Sequence, residues 1–150
     1  MRIALGSDHA GYDLKDLLAS TLLEWGYEVL DLGAENAQDS VDYPDFGEAV
    51  GRAVSSGKAD LGVAVCGSGI GVSIAANKVP GIRAALVHDV TSAHLAREHN
   101  HANVLCLGAR LVGTSVAIDA LEAWLKATPG DGRHLGRLEK LSLLDEHVDD

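Results

Sequence analysis

The sequence predicts a three-layer α/β/α sandwich, and three observations carry that prediction. Short apolar runs recur along the 150 residues, each near a glycine; stretches of helical period separate them; and the central run ends at a cysteine followed at once by glycines. Strand and helix in regular succession imply βαβ units, which require a mostly parallel sheet joined by right-handed crossovers. The runs Ile3 to Gly6, Glu28 to Leu32, Leu61 to Val65, Ile82 to Val87 and Val104 to Leu107 are therefore read as a five-stranded parallel, Rossmann-like sheet.

The helices are justified in the same way. Leu14, Leu17, Leu18, Leu22 and Trp25 fall on one helical face after the first strand, and Ala117, Ala120, Leu121, Trp124 and Leu125 do so near the C-terminus. These are core stripes. Tyr43-Pro44 marks a helix start, because proline is favoured at the first helical position. Another helix is expected from Asp89 to about Asn100. A break at Thr128-Pro-Gly-Asp-Gly132 precedes a segment rich in Arg, Leu and Glu, expected as a C-terminal helix followed by an acidic tail. There is no internal repeat or low-complexity linker, and residues 1–150 are expected to form a single domain. A chain of this length buries roughly 70% of its unfolded surface.

Charge and cysteine usage limit the partners. The 12 Lys+Arg against 22 Asp+Glu leave a formal net charge of −10, which argues against duplex nucleic acid or an anionic membrane as the main partner. An anionic ligand then needs arginines that converge locally. No signal peptide or membrane-spanning run is expected. Cys66 and Cys106 stand 40 residues apart with no CxxC or metal-type clustering, which predicts reduced thiols in a cytoplasmic protein with no metal and no cofactor.

In open parallel sheets ligands bind beyond the carboxyl ends of the strands. That edge carries Asp8 and His9 after the first strand, Cys66 to Gly71 after the third and Arg110 after the fifth. A strand that stops at the turn Gly67, Ser68, Gly69, Ile70, Gly71 before a helix aims free backbone N–H groups and the positive end of that helix at one point. Thiols at such positions have pKa values of roughly 3.5–7.5 against about 8.5 for free cysteine. The bland alternative is a packed thiol at a strand end.

Several chemistries fail on spacing. A dinucleotide turn GxGxxG needs glycine at Val72, a cysteine phosphatase needs arginine there, GxxxxGK[ST] has no match, and a receiver domain needs aspartate at Cys66. What remains is a thiol base beside donors for an oxyanion. Removing a proton next to a carbonyl gives an enediolate, whose charge oriented amides stabilise as it develops. Aldose–ketose isomerisation fits, with Cys66 as the base. Cys106 lies within a strand run and is expected as a core thiol; His88, His94, His101 and His147 carry no motif and are given no role.

The stretches Gly6-Ser-Asp-His-Ala-Gly11, Asp42-Tyr-Pro44, Cys66 to Lys78, Glu98-His-Asn100, Asn103-Val104, Gly108-Ala-Arg110 and Gly132-Arg-His134 also resemble the type B ribose-5-phosphate isomerases, in the family that holds the galactose-6-phosphate isomerase subunits. The resemblance implies interconversion of D-ribose 5-phosphate and D-ribulose 5-phosphate by a homodimer or homotetramer with sites at the subunit interface. It implies Cys66 as base, His99 in ring opening, and Gly67 to Gly71 as the anion hole with the Ser68 hydroxyl nearby. It places Asp8, His9, Tyr43 and Asn100 on sugar hydroxyls, and Arg110, Arg133 and Arg137 on the phosphate, with His134 as a further candidate. The subgroup that uses a glutamate has it at the position of Val72; here Cys66 is present and Val72 cannot ionise.

One expectation is geometric. His99 and Asn100 end a helix that leads into the next strand, so they should lie at the amino edge, away from their own Cys66, and a partner subunit would have to bring His99 to that thiol. The alternative activities are an isomerase of a six-carbon aldose 6-phosphate of the galactose or allose type, and a non-catalytic module that binds a sugar phosphate or nucleotide. Arg133 and Arg137 have a plainer alternative too, pairing with Glu139 or Asp131 on the surface.

Overall fold

Each apolar run becomes a strand of one parallel sheet in the computed structural model, which describes residues 1–146. The strands are β1 (Arg2–Ser7), β2 (Glu28–Asp31), β3 (Leu61–Cys66), β4 (Ala84–Leu86) and β5 (Val104–Gly108). Their order is β2-β1-β3-β5-β4, with every neighbouring pair parallel. The expected acidic tail after the last helix, His147 included, lies outside the described residues.

Side chains alternate between the two faces of a strand, and here both faces are apolar. Ile3 and Leu5, Leu61, Val63 and Val65, and Leu105 and Leu107 enter one core with α1 (Tyr12–Glu24), α4 (Val90–Asn100) and α5 (Thr114–Lys126). Ala64, Cys66, Val104 and Cys106 enter the other, with α2 (Tyr43–Ser55) and α3 (Ile70–Asn77). The predicted α/β/α sandwich is what forms. The last helix, α6 (Arg133–Asp145), lies outside these layers against α4.

The second layer packs onto the sheet where glycines replace side chains beneath it. A Cβ on Gly62 would lie 2.5 Å from Val50 Cγ1, and one on Gly6 would lie 2.7 Å from Val50 Cγ2. Val50 of α2 fills both gaps and is fully buried. The first residue of α2, Tyr43, stands at the carboxyl edge.

Three details depart from the sequence reading. Trp25 is not part of the α1 core stripe: the helix stops at Glu24, and Trp25 caps it at 38% exposure. The fourth strand is shorter than Ile82 to Val87, because the Ile82 N–H turns back to Val79 O and the Arg83 N–H to Asn103 Oδ1. Lys15, inside the α1 stripe, is 1% exposed. Its ammonium lies 2.7 and 2.9 Å from the two Asp31 carboxylate oxygens, over the face of Tyr12 at 5.1 Å.

That pair is lopsided, since the Asp31 side chain is 48% exposed. Removing the carboxylate strands a buried cation, whereas removing the cation leaves a carboxylate that water can reach. Asp31→Asn should therefore lower stability by about 3 kcal/mol and Lys15→Met by less than about 1 kcal/mol. Urea unfolding at fixed protein concentration measures both; equal losses would contradict this account.

Candidate active site

The sheet reverses its winding between β1 and β3, so the loops that follow these two strands splay to opposite faces and leave a crevice at the carboxyl edge. Cys66 closes β3 at that crevice. Gly69 turns the chain into α3 with φ of 77°, a left-handed conformation that suits glycine, and a Cβ there would lie 2.8 Å from the Leu107 carbonyl carbon. A Cβ on Gly108 would in turn collide with the Ser68 carbonyl. The turn and the end of β5 therefore touch backbone to backbone.

This contact aims the donors. The Gly69 N–H donates to Cys66 Sγ, 3.1 Å away. The Ile70 N–H is satisfied by Ser68 Oγ at 3.2 Å. Among the described residues the N–H groups of Gly67, Ser68 and Gly71 have no hydrogen-bond acceptor, as expected at the first turn of a helix. They are available to an incoming anion.

Neighbouring loops complete the wall. The Ala109 and Arg110 N–H groups donate to Cys66 O and Gly67 O, both at 2.9 Å, which brings the Arg110 side chain beside Gly67. Asp8 is buried, and its Oδ1 accepts the Gly11 N–H at 3.0 Å. His9 Nδ1 sits against the Val41 backbone, 3.2 Å from its N–H and 3.3 Å from its carbonyl oxygen, which fixes the ring at the mouth of the site. The Tyr43 ring lies flat enough against Gly71 that a Cβ there would be 2.5 Å from Cε2 and Cζ. Asp8, His9, Tyr43, Cys66, Gly67, Ser68, Gly71 and Arg110, with Ala10 and Leu111, line one cavity of about 390 Å³. Gly69 and Ile70 belong to the same turn. Cys66, although only 4% exposed, lines this cavity.

Cys106 is different. It is fully buried, and burial, followed by the proximity of Cys66, pushes its thiol well above the ordinary cysteine range. It packs in the core. Among the described residues no group of three or more His, Cys, Asp or Glu side chains is placed to hold a metal ion.

The remaining candidates lie elsewhere. His99 and Asn100 end α4, and Arg133, His134 and Arg137 occupy the first turns of α6. The His99 and His134 rings stack at 4.6 Å and 18°. Desolvation, then the proximity of His99, Arg133 and Arg137, holds the pKa of His134 below the usual histidine range, with Glu98 opposing them. Among the described residues neither arginine pairs with Asp131 or Glu139. Since α4 leads directly into β5, this cationic cluster lies at the amino edge of the sheet, as expected. Asn100 lines a separate cavity of about 310 Å³ with Arg83 and Leu141. The candidate set thus splits into two groups. The sequence reading missed the Val41 contact to His9, which runs through backbone and leaves no residue signature.

A parallel α/β sheet whose carboxyl edge gathers a thiol, unpaired amides, a histidine and an arginine around one cavity defines a class of α/β proteins with a pocket suited to an anion. Within that class the chain belongs to the ribose/galactose isomerase family, whose model matches residues 3–141. It is 42% identical over 145 residues to ribose-5-phosphate isomerase B of Escherichia coli (strain K12), covering 97% of each chain. Among solved structures, ribose-5-phosphate isomerase B of Clostridium thermocellum matches with a TM-score of 0.95 at 51% identity, over 97% of this chain and 98% of that one. The structure of Mycoplasma genitalium ribose-5-phosphate isomerase B with bound ribulose-5-phosphate matches with a TM-score of 0.93 at 40% identity, over 98% and 97%. The protein is an isomerase of this family.

The contrast between the two thiols is measurable. Iodoacetamide on the native enzyme should modify Cys66 alone, with Cys106 reacting only after unfolding, as read by peptide mass spectrometry. Native modification of Cys106, or none of Cys66, would contradict the cavity geometry.

Proposed function

We infer that the enzyme interconverts D-ribose 5-phosphate and D-ribulose 5-phosphate through an enediolate, in a site shared between two copies of the chain. The observation that carries the reading is the Gly69 amide aimed at Cys66 Sγ from 3.1 Å in a cavity lined by further free amides. In this mechanism the Cys66 thiolate removes the proton from C2 of the open aldose. Electrons move onto the C1 oxygen, where the Gly67, Ser68 and Gly71 N–H groups hold the charge. The proton returns to C1 while the O2 hydroxyl proton passes to O1, so the reaction is balanced without external oxidant or reductant. Asp8, His9 and Tyr43 orient the sugar hydroxyls, and Arg110 binds the phosphate.

The partner copy supplies the rest. His99 of the partner subunit takes the anomeric proton as the ring oxygen regains one, which opens the ring. The partner subunit's Asn100 contacts a sugar hydroxyl, and its Arg133 and Arg137 join Arg110 on the phosphate. A homodimer is the smallest assembly that satisfies this reading, and a tetramer repeats it. The reduced thiol it requires suits the cytoplasm.

Cys66→Ala should lower kcat by about 10²–10⁴-fold while the protein still binds ribulose 5-phosphate in calorimetry. Mixing Cys66→Ala with His99→Asn chains under subunit exchange should restore about one quarter of wild-type activity, because half of the dimers then carry one intact site of two. No recovery despite proven exchange would exclude the shared site. Turnover measured in parallel on five- and six-carbon aldose phosphates tests the substrate; preference for a six-carbon 6-phosphate would overturn the ribose reading.

A further inference from the structure

The corner that ends α4 is fixed more firmly than a helix terminus requires. The Asn100 carbonyl accepts from Arg83 Nε at 2.9 Å and the His101 carbonyl from Arg83 Nη2 at 3.3 Å. The Ala102 carbonyl accepts from Arg97 Nη1 at 3.0 Å and Trp124 Nε1 at 3.2 Å. At the centre of this corner His101 adopts φ 47° and ψ 40°, and it is the one non-glycine residue with positive φ among the described residues. Side chains avoid that region, and such a residue persists only where its surroundings over-determine it. Glycine or asparagine would serve better if a left-handed turn were all the site needed.

What histidine adds is reach. Its Nε2 donates to the Gly130 carbonyl at 2.6 Å, while the Gly130 N–H donates to the Glu98 carbonyl at 2.8 Å. Gly130 is thereby gripped on both sides of its peptide by residues that bracket His99 and Asn100. It is also wedged in place, because a Cβ there would lie 2.8 Å from Glu98 O and 3.0 Å from His134 Cδ2. The chain from Gly130 runs straight into α6, whose first turns carry Arg133, His134 and Arg137, and the His134 ring stacks on His99.

We propose that His101 is a positioning residue: its bond to Gly130 locks the start of α6 onto the end of α4, so that His99, Asn100, Arg133 and Arg137 are presented to a partner's Cys66 as one rigid unit. The inference rests on the shared-site reading above and goes beyond it by naming what holds the donated half together. The acceptor is a carbonyl, so Nε2 carries the proton and the bond forms with the ring neutral or protonated.

Three variants separate reach from backbone. His101→Gly and His101→Asn keep the left-handed turn but lose the donor, since an asparagine amide sits where Nδ1 does; His101→Gln places an N–H near the position of Nε2. The expected result is a kcat/KM about 10- to 100-fold lower for Gly and Asn, with thermal midpoints at or above wild type for Gly, and substantial recovery for Gln. The ring-current shifts of His99 and His134 in NMR spectra should fall in Gly and Asn. Placement in mixed dimers is the sharper test. Adding His101→Gly to the Cys66→Ala chain, which supplies His99, should remove most of the activity recovered on mixing with His99→Asn; adding it to the His99→Asn chain should leave that activity intact. Equal effects from both placements, or wild-type kcat/KM in the Gly and Asn variants, would overturn the positioning role. No recovery in the unmodified mixture would instead refute the shared site, and the rate and ring-current data on homogeneous variants would then decide the clamp by themselves.

Discussion

The site depends on backbone approaching backbone where no side chain could fit. Gly69 and Gly108 face each other across the carboxyl edge, and a Cβ on either would strike the other's segment. From that contact follow the direction of the Gly69 amide toward Cys66, the stitching of Ala109 and Arg110 onto the carbonyls of Cys66 and Gly67, and the nearness of Arg110 to the turn. On the other side Gly71 leaves room for the Tyr43 ring, and Gly6 and Gly62 leave room for Val50, which seats the helix that carries Tyr43. Precision at Cys66 thus comes from absent side chains. Hydrogen bonds then hold what sterics have already placed.

Charge gives the split between the two edges its meaning. The chain carries a net charge of −10, so its long-range field repels a phosphorylated sugar and attraction has to be local. The Cys66 cavity has one arginine in its lining, Arg110. The other two candidates, Arg133 and Arg137, stand with His99 and His134 at the opposite edge, where desolvation first and then these neighbours lower the affinity of His134 for its proton. In the shared reading the partner's cationic arm meets this cavity, and a dianion is then held by three guanidinium groups.

Much of this was legible in the sequence, for definite reasons. Parallel strands buried on both faces leave continuous apolar runs, so β1, β3 and β5 could be placed to within a residue, and the glycines after Cys66 marked a turn that only they permit. The rule that ligands bind at strand carboxyl ends gathered Asp8, His9, Cys66 and Arg110, and these four line one cavity. What escaped notice depended on partners distant in sequence. Lys15 is a charge within an apolar stripe, and only the tertiary position of Asp31 makes its burial tolerable. Trp25 fits the helical period of α1, yet α1 ends one residue before it. The fourth strand is shortened by Asn103, which competes for the Arg83 backbone. The contacts of His9 with Val41 and of His101 with Gly130 both end on main-chain atoms, which carry no residue code.

The two-edge arrangement also follows from helix electrostatics. A helix N-terminus favours an anion and its C-terminus a cation, so a thiolate gains at the start of α3 and an imidazole that becomes protonated gains at the end of α4. In a right-handed βαβ unit the crossover helix starts near the carboxyl edge of the sheet and ends near the amino edge. The two preferences therefore lie on opposite sides of any single chain, and no loop of ordinary length reconciles them. In the proposed shared site a second copy related by a two-fold axis would do so, with the end of one chain's α4 meeting the start of the other's α3 and the arrangement repeated in reverse. On this view the division of the reaction between two subunits comes from the polarity of the α/β layer itself, and the rigidity of the donated corner decides how well the halves meet.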